Sequence, residues 1–215
     1  MVESQPRLDS IVPSLPTGFM NEPLSNQANE NCGWASSFNT FSATTIEALI
    51  SSLVSFVRDS TPEEIRAWKG SIPGLQKECH KSTARNPERI HYGAILEYRM
   101  PDGPHRVDAV LLLSGAVLVL EFKGDGNWQP QYLEQAADYS RRLYWWHSKC
   151  GEAGVRVHTV LVSYGKEGEE RQNEFSTLTN ITNLANVIER FDRPEEQSVI
   201  SVEEFVRPGM CQPSL

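Results

Sequence analysis

Two apolar runs joined by a Ser-Gly step constrain the fold of this chain more than any other stretch. The runs, 107–113 and 116–122, are rich in Val and Leu and flank Ser114 and Gly115. A two-residue step of this kind between β-prone runs predicts a tight antiparallel hairpin. The hairpin also defines a register, because the residue before the turn faces the residue after it and the pairing continues outward from there.

That register brings three charged side chains to one patch of the sheet. Asp108 lies opposite Glu121, and Lys123 shares the face of Glu121 because side chains alternate along a strand. Two carboxylates about 5 Å apart repel by roughly 3 kcal/mol at an effective dielectric of ~20. A divalent cation would remove this repulsion, and oxygen ligands favour Mg²⁺ or Mn²⁺. The alternative is an ordinary ion pair between Glu121 and Lys123 beside an exposed Asp108.

The stretch after the second run predicts a helix that returns to the same patch. Pro130 suits the first turn of a helix that continues to about Ser148. Gln135 and Tyr139 are four residues apart, so they share one helix face. Because the helix follows directly on the strand with the acid and the lysine, this face can reach the site. In the alternative, Tyr139 and Leu143 are core residues and Gln135 is an incidental polar neighbour.

The order of these motifs, an Asp, then E-x-K, then Q-x3-Y, resembles the PD-(D/E)xK nuclease superfamily. The Q-x3-Y element is similar to its RecB- and Cas4-like branch. The sequence around the motifs also resembles a nuclease-like domain that precedes a P-loop helicase in some bacterial proteins of the Schlafen-helicase type. The stretches that carry this second resemblance are AWKGSIPGLQ (Ala67–Gln76), LEYRMP (Leu96–Pro101), RVDAVLL and VLVLEFKG.

The resemblance covers roughly Phe41 to Ser163, with one departure in its motifs. The Pro that precedes the Asp in the family name is Val107 here. The sequence contains no G-x4-G-K-[ST] pattern, so the helicase part of the larger proteins is not recognised in it.

The resemblance implies an α/β fold of the restriction-endonuclease-like type, with a mixed central sheet flanked by helices. It implies Mg²⁺- or Mn²⁺-dependent hydrolysis of nucleic acid, with DNA preferred to RNA, and a helicase partner or an oligomer would fit it. Asp108 and Glu121 become metal ligands, Lys123 becomes the catalytic lysine, and Gln135 and Tyr139 become active-site or nucleic-acid contacts. The alternative is the same fold without catalysis, as a module that binds nucleic acid or docks a partner protein.

Other charged residues are candidates for the same site. Glu97 lies in an apolar strand beside the strand of Asp108, where it can be a metal ligand or a support for the ligands. It can equally pair with Arg99 or Arg106, and Arg106 is itself a candidate nucleic-acid contact. Several folds of this superfamily place an additional acidic ligand on a helix before the sheet, for which the candidates by position are Glu47, Glu64 and Glu78.

Basic and aromatic residues cluster at the end of the predicted 130–148 helix. Arg141 and Arg142 are followed by Tyr144, Trp145 and Trp146. Rings that stack on bases and guanidinium groups that bind phosphate suit contact with nucleic acid. In the alternative, which we favour for the Trp residues, one Trp packs in the core and the Arg pair is solvated.

Charge and cysteine usage set the wider expectations. The net charge of −8 does not indicate tight binding of nucleic acid, although a nuclease needs only local positive potential. The four Cys residues are scattered without metal-type spacing, which predicts reduced thiols in a cytoplasmic protein. No signal peptide and no run of 18 apolar residues is recognised, so we expect no contact with a membrane.

Composition and periodicity divide the chain into three parts. Residues 1–40 are expected to form a disordered N-terminal arm, 41–205 the nuclease-like domain, and 206–215 a C-terminal tail. Within the domain we expect one helix from near Ser42, another from Thr61 with a kink or break at Pro73, and a further helix over 179–191. The remaining expected strands are 92–100 and 155–162, and 198–205 is expected to be a short strand that leads into a helix.

Overall fold

The fold is known from a computed structural model that describes residues 30–100, 105–124, 130–164, 170–195 and 197–210. These residues form a seven-stranded mixed sheet with helices packed on it, which confirms the expected α/β class. The strands are β1 (Trp34–Ser37), β2 (Gly93–Arg99), β3 (Arg106–Leu112), β4 (Ala116–Lys123), β5 (Arg156–Ser163), β6 (Arg171–Gln172) and β7 (Ser176–Asn180). The helices are α1 (Phe38–Ala43), α2 (Ile46–Phe56), α3 (Pro62–Arg85), α4 (Pro130–Trp146), α5 (Leu184–Phe191) and α6 (Val202–Phe205), with short 3-10 helices at Pro87–His91 and Ile181–Asn183.

The sheet has the strand order β1-β2-β3-β4-β5-β7-β6. The first four strands pair antiparallel, β5 pairs parallel with both β4 and β7, and β6 pairs antiparallel with β7. The expected meander of β2, β3 and β4 is therefore confirmed. The helix α4 makes the crossover to β5, as expected for two parallel neighbours.

The predicted register of the central hairpin is confirmed. Ala109 pairs with Leu120 and Leu112 with Val117, and the Leu113 N–H donates to the carbonyl of Ala116 at 2.8 Å. The turn itself needs its glycine, because Gly115 has φ 70°, in the left-handed region. Local sequence alone therefore determines which residues of β3 and β4 face each other.

The sheet separates two apolar cores. The first lies against α1, α2, α3 and α5 and includes Leu96, Ala109 and Leu120. The second lies against α4 and α6 and includes Tyr98 and Val107. Alternate residues of β3 and β4 fill opposite cores, which explains why both runs are almost continuously apolar.

The first two helices differ from the prediction. A helix from near Ser42 was expected, but α1 ends at Ala43 and α2 begins only at Ile46. The backbone is extended at Thr45, whose side-chain oxygen accepts the N–H of Ala48 at 3.3 Å. A separate N-cap at this point starts a new helix in a new direction.

The helix α3 begins as predicted but is not broken. Thr61 and Glu64 form a capping box, in which each side chain accepts the backbone N–H of the other residue. Of the kink or break expected at Pro73, the break is absent, since the helix is continuous to Arg85. Ile72 and Leu75, on either side of the Pro, are buried in the first core. We attribute the continuity to this packing, which offsets the hydrogen bond that Pro cannot make.

Regular secondary structure is present before residue 41, where the domain was expected to begin. Strand β1 lies within the segment expected to be a disordered arm, pairs with β2, and is followed by α1 from Phe38. Its polar sequence gave no strand signal, but an edge strand has only one paired neighbour and tolerates polar side chains. Residues 1–29 lie outside the described residues.

The end of the chain also differs from the expected division. A helix was expected over 179–191, but β7 extends to Asn180 and α5 begins at Leu184. The backbone N–H of Ser148 donates to the carbonyl of Met210 at 2.9 Å, so the first half of the expected tail packs on the domain. The described helices include none that is both long and apolar enough to cross a membrane. Three cysteines, Cys32, Cys79 and Cys150, are buried, and Cys211 lies outside the described residues.

Candidate functional site

Asp108 lies where β3 separates from β4. The backbone pair of this hairpin farthest from the turn is Ala109 with Leu120, and beyond it the Asp108 carboxylate makes the contact with β4. Its Oδ2 accepts the backbone N–H of Phe122 at 2.7 Å. The carboxylate therefore lies between the two strands, and this hydrogen bond fixes it next to Glu121.

The charge of Asp108 contributes to a raised pKa of two tyrosines, one on each side of the sheet. Burial, with an added effect of the Glu121 and Asp108 charges, raises the pKa of Tyr139, which packs against the second core. Burial and the Asp108 charge also raise the pKa of Tyr164, which packs against the first core. A carboxylate that acts on both rings lies close to the plane of the sheet, and this agrees with its bond to Phe122.

Glu121 is a buried acid with an unsatisfied oxygen. The residue is 8% exposed, and its Oε1 has no hydrogen-bond partner within the part of the chain that the structure describes. Burial, together with the nearby charge of Asp108, raises the pKa of Glu121 to about 8. Burial likewise raises the pKa of Asp108 to about 6. The two acids thus lie close together in a poorly solvated place, which is costly without a neutralising partner.

Lys123 forms an ion pair with one of these two acids. Its Nζ lies 3.6 Å from Oε2 of Glu121, and its positive charge lowers the pKa values of Glu121 and Asp108. Both residues lie on one face of β4, as the strand alternation predicted. The lysine side chain is 40% exposed and lies 5.8 Å from the centre of the Tyr132 ring. Sequence reasoning missed Tyr132, whose only signal was an aromatic ring one turn before the Q-x3-Y element.

The helix that carries the predicted Q-x3-Y element packs beside this group. Tyr139 is half-buried on α4, and its pKa reports the proximity of both acids. Gln135 lies one turn earlier on the same helix, and its side chain lies outside the described residues. The structure therefore brings together four of the five residues expected at the centre of the site: Asp108, Glu121, Lys123 and Tyr139.

Glu97 is close to the site but its oxygens are already occupied. Oε1 accepts the indole N–H of Trp68 at 2.7 Å, and Oε2 accepts Nε–H of Arg106 at 2.8 Å. Arg106 also reaches Oε1 of Glu64 at 3.0 Å. Of the two pairings proposed for Glu97, the one with Arg106 is present, whereas Arg99 lies over the ring of Phe56. In this arrangement each Glu97 oxygen already accepts one hydrogen bond, and Arg106 is held between two acids.

The other three acids proposed from the sequence differ in their burial and in their partners. Glu47 is exposed in the first turn of α2. Glu78 is buried and accepts the N–H of Ala185 at the start of α5, which is a structural role. Glu64 lines a cavity of about 320 Å³ that Asp108 also lines, but its oxygens bind Arg106 and the capping box. Among the described residues, no group of three or more His, Cys, Asp or Glu is arranged to hold a metal.

The basic and aromatic cluster lies at the C-terminal end of α4. Arg141 and Arg142 both contact the carboxylate of Asp138, at 3.7 and 2.5 Å. Arg142 is also close enough to lower the pKa of Tyr139. Trp145 is 75% exposed and packs edge-on against Tyr144. Trp146 is partly buried, so of these two residues it is the one that can have the core role expected for one Trp.

The raised pKa values predict a specific pH dependence of stability in the absence of metal. The folded state binds the Glu121 proton more tightly than the unfolded state does. The stability that this proton contributes to the folded state is therefore fully present below about pH 4.5 and is lost as the pH rises to about 8. Glu121→Gln cannot ionise and should be more stable than the wild type at pH 9 by up to about 5 kcal/mol, since the pKa of Glu121 rises from 4.5 to about 8 and one pKa unit corresponds to roughly 1.4 kcal/mol. The difference should shrink toward pH 4.5.

The measurement is urea unfolding in EDTA at a series of pH values. Glu134→Gln is the matched control, because Glu134 is an exposed acid on α4 and its substitution should leave the pH profile unchanged. Equal profiles for Glu121→Gln and the wild type would show that Glu121 is not a strained buried acid.

Known proteins do not add to this description. Comparison with protein-family models, curated proteins and solved structures gives no match to this chain.

Proposed function

We propose that this chain is a divalent-metal-dependent nuclease with a restriction-endonuclease-like fold, which hydrolyses phosphodiester bonds of nucleic acid and prefers DNA to RNA. The observation that carries the proposal is the unpartnered, buried Oε1 of Glu121 beside the Asp108 carboxylate. A buried carboxylate oxygen without a hydrogen bond is expected to have a ligand. An oxygen in this environment and next to a second acid is suited to a cation.

The donor set fits Mg²⁺ or Mn²⁺. Asp108 and Glu121 would hold the ion, and Mg²⁺ in proteins commonly takes one or two carboxylates and completes its shell with water and substrate phosphate. Among the described residues no group of three or more His, Cys, Asp or Glu is arranged around one ion, which is compatible with a shell completed by water and phosphate. When bound, the cation supplies Lewis-acid chemistry, in which it draws charge from a phosphodiester oxygen and makes a water more acidic.

The chain's own residues supply the remaining functions. Lys123, with its partly exposed ammonium group beside Glu121, is positioned to donate to a phosphate oxygen and to hold the attacking water. Tyr139 and Gln135 would contact the nucleic acid from α4. The guanidinium groups of Arg141 and Arg142, on the same helix, would bind flanking phosphates.

A non-catalytic module is the second candidate, favoured by the state of the neighbouring acids. The carboxylates of Glu97 and Glu64 are bound to Arg106, so the site has two available acids. Such a module would bind nucleic acid or a partner protein, a helicase or a second copy included, without turnover. In the nuclease a cation that binds the site should raise thermal stability, and Asp108→Ala should erase this gain. In a module that binds no metal, the wild type itself should show no gain.

The direct test is incubation of the purified chain with linear, circular and single-stranded DNA and with RNA, with and without Mn²⁺. Cleavage that requires the ion and is lost in Asp108→Ala supports the proposal. Cleavage of linear but not circular DNA would indicate attack at ends. Ion-independent cleavage, or equal cleavage by the wild type and Asp108→Ala, would refute the assignment.

A further inference from the structure

Glu97 has an unusual backbone conformation. Its φ is 51°, and among the described residues it is the only non-glycine residue with a positive φ. This left-handed region is unfavourable for residues with a Cβ, and for a long side chain in the interior of a strand it needs compensation from the surroundings. Glu97 lies in the middle of β2, so the conformation is not the consequence of a turn.

The pairing of β2 with β3 is interrupted at this residue. Leu96 pairs with Ala109 and Tyr98 pairs with Val107, so Glu97 and Asp108 are the opposed positions between two paired steps. In a regular strand Leu96 and Tyr98 would point to the same side. Instead Leu96 lies in the first core and Tyr98 in the second. Strand β2 therefore changes face at Glu97.

Strand β3 changes face at the opposed position. Ala109 lies in the first core and Val107 in the second, although regular alternation would give both the same side. Asp108 lies between them. It is thus released from the regular alternation, and its carboxylate turns into the gap toward β4 to accept the N–H of Phe122.

The Glu97 side chain is held by groups that can compensate for the backbone. It is 5% exposed, and its two oxygens accept hydrogen bonds from Trp68 of α3 and from Arg106 at the start of β3. Arg106 in turn binds Glu64, in the first helical turn of α3. The four residues tie α3 to both strands at the position of the face change.

We propose that Glu97 is a positioning residue whose left-handed backbone sets the face change of β2 and, through pairing, of β3, and thereby directs the Asp108 carboxylate toward β4. Its own carboxylate secures this conformation through Trp68 and Arg106 and does not bind the metal. The assignment of a role at the metal rests on the proposed function, whereas the control of Asp108 geometry does not.

Two substitutions of Glu97 distinguish the effect of its backbone conformation from the effect of its carboxylate. Glu97→Gly removes the carboxylate but adopts the left-handed conformation readily, whereas Glu97→Val removes the carboxylate and strongly disfavours that conformation. Hydrogen exchange of the Phe122 amide reports whether Asp108 still accepts its N–H. Mn²⁺ titration calorimetry reports the effect on the site.

We expect Phe122 exchange in Glu97→Gly to stay within about threefold of the wild type, and in Glu97→Val to rise at least ~10-fold while the slowest core amides remain protected. Mn²⁺ affinity should follow the same order, with a loss of roughly 10–100-fold in Glu97→Val alone. If Glu97→Val does not fold, Glu97→Ala should show an intermediate rise in Phe122 exchange, because Ala has a Cβ but no β-branch.

The outcomes are distinct from those that test the nuclease. Equal losses in Glu97→Gly and Glu97→Val would show that the carboxylate itself is needed, and unchanged Phe122 exchange in both would show that Glu97 does not position Asp108. Either result overturns this inference. A wild type that binds no Mn²⁺ would refute the metal site, while the exchange experiment would still decide the role of Glu97.

Discussion

Replacement of Asp108 by Asn is expected to reduce Mn²⁺-dependent cleavage to less than roughly one thousandth of the wild-type rate, since loss of a supporting group around a metal already costs about 10–100-fold. The substitution keeps the size of the side chain and its acceptor oxygen for the Phe122 N–H, so the fold should be retained. It removes the negative charge that, with Glu121, would hold the cation. The rise in melting temperature on addition of Mn²⁺ should disappear with the activity.

Asp59→Asn is the matched control, because Asp59 is an exposed acid just after α2. That variant should keep both cleavage and the Mn²⁺-dependent stabilisation. In the absence of metal, Asp108→Asn should be at least as stable as the wild type at pH 8, since burial raises the pKa of Asp108 to about 6 and its ionisation above that pH opposes folding. Full activity of a correctly folded Asp108→Asn protein would rule out the proposed centre.

Replacement of Lys123 by Ala is expected to slow cleavage by about 10²–10³-fold without loss of Mn²⁺ binding, as for removal of one donor that stabilises a developing negative charge. The Nζ of Lys123 lies 3.6 Å from Glu121, and the side chain remains partly exposed for a substrate phosphate. Cleavage should be measured under single-turnover conditions beside a Mn²⁺-dependent thermal shift. Loss of turnover with retained stabilisation separates the lysine from the metal ligands.

The appropriate control for this variant is Lys149→Ala. Lys149 also pairs with acids, Glu152 and Glu204, but it lies after the end of α4 and away from the hairpin. The Lys149→Ala variant should therefore cleave at the wild-type rate. If Lys123→Ala cleaved as fast as this control, the E-x-K element would be no more than the surface ion pair that the sequence also allowed.

The neighbourhood of Asp108 shows why a correct register was not sufficient to describe the site. The sequence predicted Asp108 and Glu121 as facing side chains on one face of the sheet, and the paired residues of the hairpin have that register. The Asp108 carboxylate nevertheless turns between the strands, because β2 and β3 change face at this point. The cause is the conformation of Glu97, which local pattern could not indicate.

The proposed roles of Glu97 and Arg106 illustrate the same limit. In the sequence, the acid suggested a metal ligand or an ion pair with Arg99 or Arg106, and Arg106 also suggested a nucleic-acid contact. In the fold they bind each other, together with Trp68 and Glu64 of α3. The partners are 29 and 42 residues distant along the chain, and their choice depends on how α3 packs against the sheet.

The sequence by itself determined the features with short-range causes. The Ser-Gly turn and the apolar runs set the hairpin register, the strand period placed Lys123 beside Glu121, and the capping box began α3 at Pro62. These depend on hydrogen bonds and side-chain directions within a few residues, which any reader of the sequence can derive.

Only the tertiary structure decided the features that need distant partners. It added β1 to the sheet, continued α3 through Pro73, and exposed Trp145. It also bound the carboxylate of Glu97 and left the Oε1 of Glu121 buried without a described partner. Burial and pairing are properties of the assembled sheet and helices, because the same side chain is stable in one environment and costly in another according to what packs around it.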